Sequence, residues 1–309
     1  MGRYVLRRLV LTLVALWAIV TITFILMMAV PGSPFNSPKL TPTVRKQLER
    51  KYGLDKPLWK QYLILLNQLA HFDFGISIRE RGRDVNDIIK ERFPASALLG
   101  VEALLYAVSL GLTMGVVAAL NRGRWPDYVA QVLAIIGASV PNFVVAAFMQ
   151  WLFAVKLGIL PIARWGEFKH TILPAFCLGF GTLATMTRMM RSSTLEVINQ
   201  DYVRTAKAKG LSSAEITWRH IIRNSILPIV TILGPLTAAI TTGTFVVERI
   251  FGVPGLGRFY VDSIYNRDYP LIMGTTIFYA ILLLFLNFLV DIAYGFIDPR
   301  IRLTRGKED

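Results

Sequence analysis

Cysteine is almost absent from the sequence. Its single copy, Cys177, lies inside an apolar run, so no disulfide can form within the chain and one thiol cannot make a metal site. Histidine is nearly as rare, and its three copies, His71, His170 and His220, lack the spacing of metal ligands. The single cysteine excludes a fold that internal disulfides stabilise, and the few scattered histidines argue against a metal centre.

The chain also lacks a P-loop, the glycine-rich stretch that ends in Gly-Lys-Ser or Gly-Lys-Thr and cradles nucleotide phosphates. It therefore cannot bind ATP in the usual way, and energy from ATP would have to come through a partner. A serine hydrolase would need a paired base, and a metalloenzyme would need clustered histidines or carboxylates. Neither pattern occurs, so we expect no catalytic residue, no cofactor and no metal in this chain.

Acidic residues are outnumbered, 20 against 34 lysines and arginines, which leaves a net charge of +14. In a soluble domain this charge would suggest nucleic acid as the partner. However, 54% of the residues are hydrophobic, the mean hydropathy is +0.49, and the basic residues lie mainly between long apolar runs. The expected partner is therefore a lipid bilayer and not nucleic acid.

Six apolar stretches each come near the roughly 20 residues that cross about 30 Å of hydrocarbon. We predict membrane-spanning helices at about residues 9–30, 97–120, 128–155, 171–187, 226–247 and 271–297. The first is too long for the apolar part of a signal peptide, so an uncleaved helix is expected, and the short fourth one can extend through residues 188–191. Lysines and arginines are more frequent in the short loops on one side, which places both termini in the cytoplasm.

The prediction is thus an all-α, multi-pass membrane protein in three parts. These are an N-terminal membrane helix at 1–30, an extracytoplasmic segment at 31–94 and a membrane core at 95–309. The extracytoplasmic segment is polar but is not a linker, because residues 41–52 and 58–69 have helical patterns and 85–93 can form a short helix ahead of Pro94.

A polar loop at about residues 188–225 is too charged to enter lipid, since each lysine or arginine at the bilayer centre would cost roughly 2.5–3.5 kcal/mol or more. Residues 202–209 contain no proline or glycine, and Gly210 stands where a helix would end in a left-handed cap. We therefore predict a short helix. Its alanines are small enough for a partner to approach closely, and its cations suit an acidic rim, although a solvated basic loop would have the same composition.

The amino-acid sequence of this loop matches a known pattern. It reads Asp201-Tyr202-Val203-Arg204-Thr205-Ala206-Lys207-Ala208-Lys209-Gly210-Leu211-Ser212, and it ends on Arg223-Asn224-Ser225-Ile226-Leu227-Pro228. It closely resembles the cytoplasmic loop of the membrane subunits, or permeases, of ATP-binding-cassette (ABC) importers. The likeness is to the dipeptide and oligopeptide branch, and in particular to B-type oligopeptide permeases. In place of the general importer pattern Glu-Ala-Ala the chain has Arg204-Thr205-Ala206, a departure that is typical of the peptide branch.

Further matches at 52–57, 73–75, 252–257, 266–270 and 298–302 extend the resemblance over nearly the whole chain. It implies a type I ABC importer permease with a coupling helix that docks in a groove of a separate ATPase. The implicated residues are Asp201, Tyr202, Arg204, Thr205, Ala206, Lys207, Ala208, Lys209, Gly210 and Leu211.

The resemblance also implies partners and cargo. The partners are a homologous second permease, two ABC ATPase subunits that hold ATP and magnesium, and an extracytoplasmic solute-binding protein, all at a bacterial or archaeal cytoplasmic membrane. The implied cargo is an oligopeptide or dipeptide, with nickel chelates or glutathione as alternatives. An ion-driven secondary transporter is less favoured. Such a protein should have carboxylates near the bilayer midplane and an internal repeat, whereas the acids of this chain lie towards the span ends and its halves show no clear repeat.

Polar and helix-breaking residues within the spans are candidates for the lining of a pathway. Their other interpretation is ordinary helix packing, in which hydroxyls bond across close helices and a proline makes a kink. They are Pro141, Asn142, Thr237, Thr241, Thr242, Thr244 and Glu248. Glu248 either faces a cavity mouth, where it would attract an α-amino group, or pairs with Arg249. For Asp291 we expect a structural pair with Arg188 or Arg191.

Overall fold

The computed structural model describes residues 2–29, 56–80, 82–242 and 245–297. Helices dominate, and no β-strand forms among these residues beyond an isolated bridge between Ile76 and Asp84. In chain order the helices are α1 Gly2–Ala29, α2 Leu58–Ala70, α3 Val85–Leu120, α4 Trp125–Ser139, α5 Asn142–Met149, the π-helix π1 Gln150–Lys156, α6 Lys169–Ile198, α7 Asp201–Ala208, α8 Ser213–Ile216, the π-helix π2 Thr217–Ile222, α9 Arg223–Ser225, α10 Leu227–Thr242, α11 Phe245–Phe251, α12 Leu256–Asn266 and α13 Tyr269–Ile297. The helix predicted at 41–52 lies outside the described residues.

Within the described ranges, α1, α3, α6 and α13 are long and apolar enough to cross a membrane, and α4 with the α5–π1 pair makes a fifth candidate bent by 114°. The third predicted span is therefore two helices instead of one kinked helix. Its break has a local cause, because Val140 precedes a proline and adopts the extended backbone that such a residue prefers. The fifth predicted span contains α10 and the start of α11, and residues 243–244 between them lie outside the described residues. The fourth extends well past residue 191, as the sequence allowed.

Helix α3 continues through Pro94, where the sequence predicted a boundary between a short helix and a span. A proline removes the hydrogen bond to the carbonyl four residues earlier, here that of Lys90. Lys90 is exposed, so water can bind that carbonyl and the helix can continue.

By their internal contacts the described residues form two compact units, one from the ranges 95–254 and 286–297 and one from the ranges 2–94 and 255–285. In the first unit, neighbouring helices approach α6 through glycine. A Cβ atom at Gly111 or Gly115 of α3 would lie 2.6 Å from the Cβ of Met186 or Met190, respectively, and one at Gly137 of α4 would lie 2.6 Å from the Cβ of Ala184. Membrane helices rely on such close backbone approach, because lipid offers no hydrophobic driving force for their association.

The second unit is held together by a buried carboxylate at the start of α13. Asp268 accepts hydrogen bonds from the Ser77 hydroxyl at 2.5 Å and from the backbone N–H groups of Ile78 and Arg79 at 3.2 and 3.0 Å. It thereby ties the loop before α3 to the turn between α12 and α13. Beside it, Val85 and Ile88 pack in an apolar cluster of this unit.

Candidate functional site

The helix predicted in the polar loop is confirmed as α7. An acid, Asp201, stands in its first turn and Lys207 in its last, which is the favourable order for the helix dipole. Lys209 caps the helix, and its N–H donates to the carbonyl of Thr205 at 3.0 Å. Gly210 follows with φ +79°, the left-handed conformation that the sequence predicted.

The two faces of α7 differ in their contacts. Val203 and Ala206 are buried within the chain, with 0% and 4% of their surface exposed. Leu211, after the helix, is half-buried. The other residues of this segment are exposed, namely Asp201, Tyr202, Arg204, Thr205, Lys207 and Ala208 in the helix and Lys209 and Gly210 just beyond it. Ala206 therefore does not offer a surface to a partner, which corrects the expectation from the sequence. The small side chain on the exposed face is Ala208.

The buried face of α7 joins it to the membrane core. Val203 and Ala206 form an apolar cluster with Ile216 and Ile221, and Val197 and Ile198 at the end of α6 pack against that cluster. Next to it, the buried Ser193 hydroxyl donates to the carbonyl of Ser225 at 2.9 Å. The short helix is thus anchored to α6 on one side and to the returning chain on the other.

A buried ion pair then links α6 to α4. The Nε and Nη2 atoms of Arg191 donate to the two carboxylate oxygens of Asp127 at 2.6 and 2.9 Å. Asp127 also accepts from the backbone N–H of Gly123 and the amide of Gln131, both at 3.0 Å. Arg191 thus pairs with Asp127. Arg188 donates to the carbonyl of Ala134 at 3.1 Å. The side chain of Asp291, for which a pair with Arg188 or Arg191 was predicted, lies outside the described residues.

The exposed surface around α7 is mostly basic. Asp201 and Arg204 approach only to 3.6 Å, while Glu215 pairs with Arg219 at 2.7 Å. Among the described residues neither Lys207 nor Lys209 takes part in an ion pair. Trp218 on π2 is 71% exposed. Sequence analysis missed this residue, although a tryptophan in a polar loop is a recognisable signal of an interface.

Gly210→Ala tests whether the left-handed cap holds α7 in place. No other atom lies within 4 Å of a Cβ at this position, so the penalty comes only from the backbone, at about 1 kcal/mol. We expect hydrogen exchange of the last amides of α7 to rise roughly fivefold. Gly210→Asn is the control, because asparagine tolerates the left-handed conformation; equal exchange in Gly210→Ala and the parent would refute the cap's role.

The side chains of four of the pathway candidates are described, and their surroundings differ. Pro141 and Asn142 are exposed at the break between α4 and α5. Thr237 is half-buried, and its hydroxyl donates to the carbonyl of Leu233 at 2.7 Å, a bond within the helix. The side chains of Thr241 and Thr242, and the whole of Thr244, lie outside the described residues.

Glu248 lies inside the protein and not at a cavity mouth. Its side chain is fully buried, and it accepts a hydrogen bond from the Ser96 hydroxyl at 2.5 Å. Arg249, the ion-pair partner in the alternative prediction, lies on the exposed side. The reason is rotational: consecutive residues on a helix face about 100° apart, and burial of Val247 and Glu248 turns Arg249 outward.

Two family models match the chain. One, described as "Binding-protein-dependent transport system inner membrane component", covers residues 111–303, and its N-terminal companion, "Binding-prot-dependent transport system membrane comp, N-term", covers residues 1–100.

Curated relatives match over nearly their full length. The dipeptide transport system permease protein DppB of Bacillus subtilis is 47% identical over 306 residues, 99% of each chain. The oligopeptide transport system permease protein OppB of Haemophilus influenzae is 42% identical over 98% of this chain and 100% of its own, and OppB of Escherichia coli is 40% identical with the same coverage.

Two solved structures share the fold. A crystal structure of an amino acid ABC transporter with histidines has a TM-score of 0.54 at 16% identity and covers 68% of this chain and 94% of its own. The MetNI methionine ABC transporter in inward-facing conformations has a TM-score of 0.53 with the same identity and coverage. At this identity the likeness concerns the fold alone.

Proposed function

We propose that this chain, which belongs to the family of binding-protein-dependent transport system inner membrane components, is the permease subunit of a bacterial ABC importer for dipeptides or oligopeptides. The names and high identity of its relatives support the cargo class. The structural observation that carries the proposal is α7: its exposed face holds the small Ala208 beside the cations Arg204 and Lys207, and its buried face packs against the end of α6.

The partners follow from this role. A homologous second permease would complete the membrane pathway, and two ATPase subunits would bind ATP and magnesium and perform the hydrolysis. An extracytoplasmic solute-binding protein would deliver the peptide to the side formed by residues 31–94. This arrangement requires α7 and both termini to be cytoplasmic.

In this proposal α7 acts as a rigid connector. An ATPase groove holds its exposed face, with Tyr202, Ala208 and the nearby Trp218 as contacts and Arg204 and Lys209 opposite acidic groups. When ATP binding closes the ATPases, the movement of α7 passes through the Val203–Ala206 cluster to α6 and through Asp127–Arg191 to α4. Helices α4 and α6 then move together between two states, of which ATP binding stabilises one.

Ala208→Trp tests the docking role. An indole on the exposed face should prevent a close fit, and overpacking of this kind costs roughly 1–3 kcal/mol, so the affinity for the ATPase should fall about tenfold or more. Peptide uptake into proteoliposomes should fall in parallel, while the permease remains in the membrane. Ala208→Ser keeps the side chain small and is the matched control. Undiminished uptake by Ala208→Trp would overturn the assignment of this face.

The cargo class needs its own measurement. Proteoliposomes that contain all subunits and internal ATP should accumulate labelled dipeptides or oligopeptides only with the solute-binding protein present. ATP-dependent uptake of a nickel chelate or glutathione in place of peptides would keep the permease role but reject the peptide. Uptake driven by an ion gradient without the ATPases would reject both.

A further inference from the structure

A cavity of about 500 Å³ opens between the ends of α3 and α6 and the segment that includes α7 and π2. Its floor is apolar and includes Ala119, Ile198, Ile216 and Ile221. Its rim is polar and includes Arg122, Asn199, Lys207 and Ser213, all of them exposed. The cavity is therefore amphipathic, with cations at the edge of an apolar surface.

The charges on the rim have one sign. No aspartate or glutamate lines the cavity, and among the described residues neither Arg122 nor Lys207 forms an ion pair. Two neutral polar groups of the lining are already engaged, since the Asn199 amide donates to the carbonyl of Leu195 at 2.9 Å and the Thr217 hydroxyl to that of Ser213 at 2.8 Å. The charged groups available to a ligand are therefore the two cations, and the ligand they suit is an anion.

The position of the cavity identifies the kind of anion. Leu120, the last residue of the spanning helix α3, lines the cavity and is 47% exposed. Trp125, five residues further on, is 76% exposed, and exposed tryptophans mark the level of lipid headgroups. Arg122 lies between these two residues, at the level where a phospholipid phosphate would be found.

We propose that this cavity binds an anionic phospholipid of the adjacent leaflet. The phosphate lies between Arg122 and Lys207, and the glycerol and upper acyl chain cover the apolar floor. Because Lys207 belongs to α7 and Arg122 follows α3, the bound lipid bridges the two elements. If α7 is the docking helix of the proposed importer, an anionic leaflet holds that helix against the end of α3 and thereby favours coupled transport.

Retention of lipid by the purified full-length chain tests the site directly. The chain is extracted from vesicles of phosphatidylcholine mixed with phosphatidylglycerol, and bound lipid is counted by native mass spectrometry. For the double variant Arg122→Gln, Lys207→Gln, binding of phosphatidylglycerol should be about thirtyfold weaker. Each cation near a membrane surface strengthens the attraction to anionic lipid about fivefold, and the variant removes two of them. The control Arg124→Gln, Lys209→Gln has the same charge change outside the cavity and should retain the lipid.

Each outcome decides the question. Equal retention by the two double variants would overturn the proposal, because it would reduce the effect to general surface charge. Displacement of the lipid by inorganic phosphate alone would identify an anion site without lipid specificity, and a cross-link from Ser213→Cys to an ATPase subunit would identify a protein as the occupant. Arg122→Lys with Lys207→Arg keeps both charges and should restore binding. These measurements need no transport assay, so their failure is distinct from a failure of the proposed function.

Discussion

The double variant Gly111→Ala, Gly115→Ala is expected to lose most of the stability of the unit built around α6. At Gly115 a new Cβ would lie 2.6 Å from the Cβ of Met190 and 2.8 Å from the carbonyl oxygen of Thr187. At Gly111 it would lie 2.6 Å from the Cβ of Met186. None of these atoms is the end of a flexible side chain, so the two helices must separate. Overpacking of this kind costs typically 1–3 kcal/mol at one site, which suggests about 4 kcal/mol for the pair.

Gly100→Ala provides the matched control for this experiment, because it makes the same substitution on the same helix. A Cβ at Gly100 would meet only the Cγ2 atom of Ile240, at 3.8 Å, which is ordinary contact. Alanine is also the better helix former by about 1 kcal/mol, so the control should unfold no earlier than the parent. Unfolding in detergent can be followed by tryptophan fluorescence. If the double variant unfolds at the same temperature as Gly100→Ala, close packing of α3 on α6 is not what stabilises this unit.

Asp127→Asn should have the second largest effect, because it leaves the partly buried guanidinium of Arg191 without its counter-charge. The side chain of Asp127 is 3% exposed and that of Arg191 23% exposed. Removing one partner of a buried pair costs about 3–5 kcal/mol, and the partial exposure of Arg191 favours the lower end, about 3 kcal/mol. Peptide uptake should fall as well, because α4 would no longer follow α6.

A double-mutant cycle separates the pair from its surroundings. The combination of Asp127→Leu with Arg191→Met removes both charges together and should cost much less than the sum of the single changes. Asp201→Asn is the exposed control, since its pair with Arg204 has both side chains largely in solvent and should change stability by less than about 1 kcal/mol. Additive effects of the two buried changes would mean that the contact between Asp127 and Arg191 carries no coupling.

Both experiments concern contacts for which the sequence shows one of the participating residues but does not identify its partner. The spacing Gly111-x-x-x-Gly115 is visible in the sequence and is a known signal of close membrane helices, yet it does not name the partner helix. Arg191 is visible as a charge near the end of a span, but nothing in the chain order identifies Asp127 as its partner. Which side chains meet depends on how each helix is rotated about its axis.

The sequence by itself determined the features that depend on composition along the chain. Hydropathy located most of the spans, the loop without proline or glycine between residues 202 and 209 became α7, and Gly210 ended it in the left-handed conformation. Only the tertiary structure decided that Ala206 faces inward, that Glu248 is buried and that Pro141 separates two helices at a sharp angle. The physical reason is that hydropathy and helix propensity are local properties, whereas burial and ion pairing require two distant segments to meet, and their relative rotation is set by the packing of the whole unit.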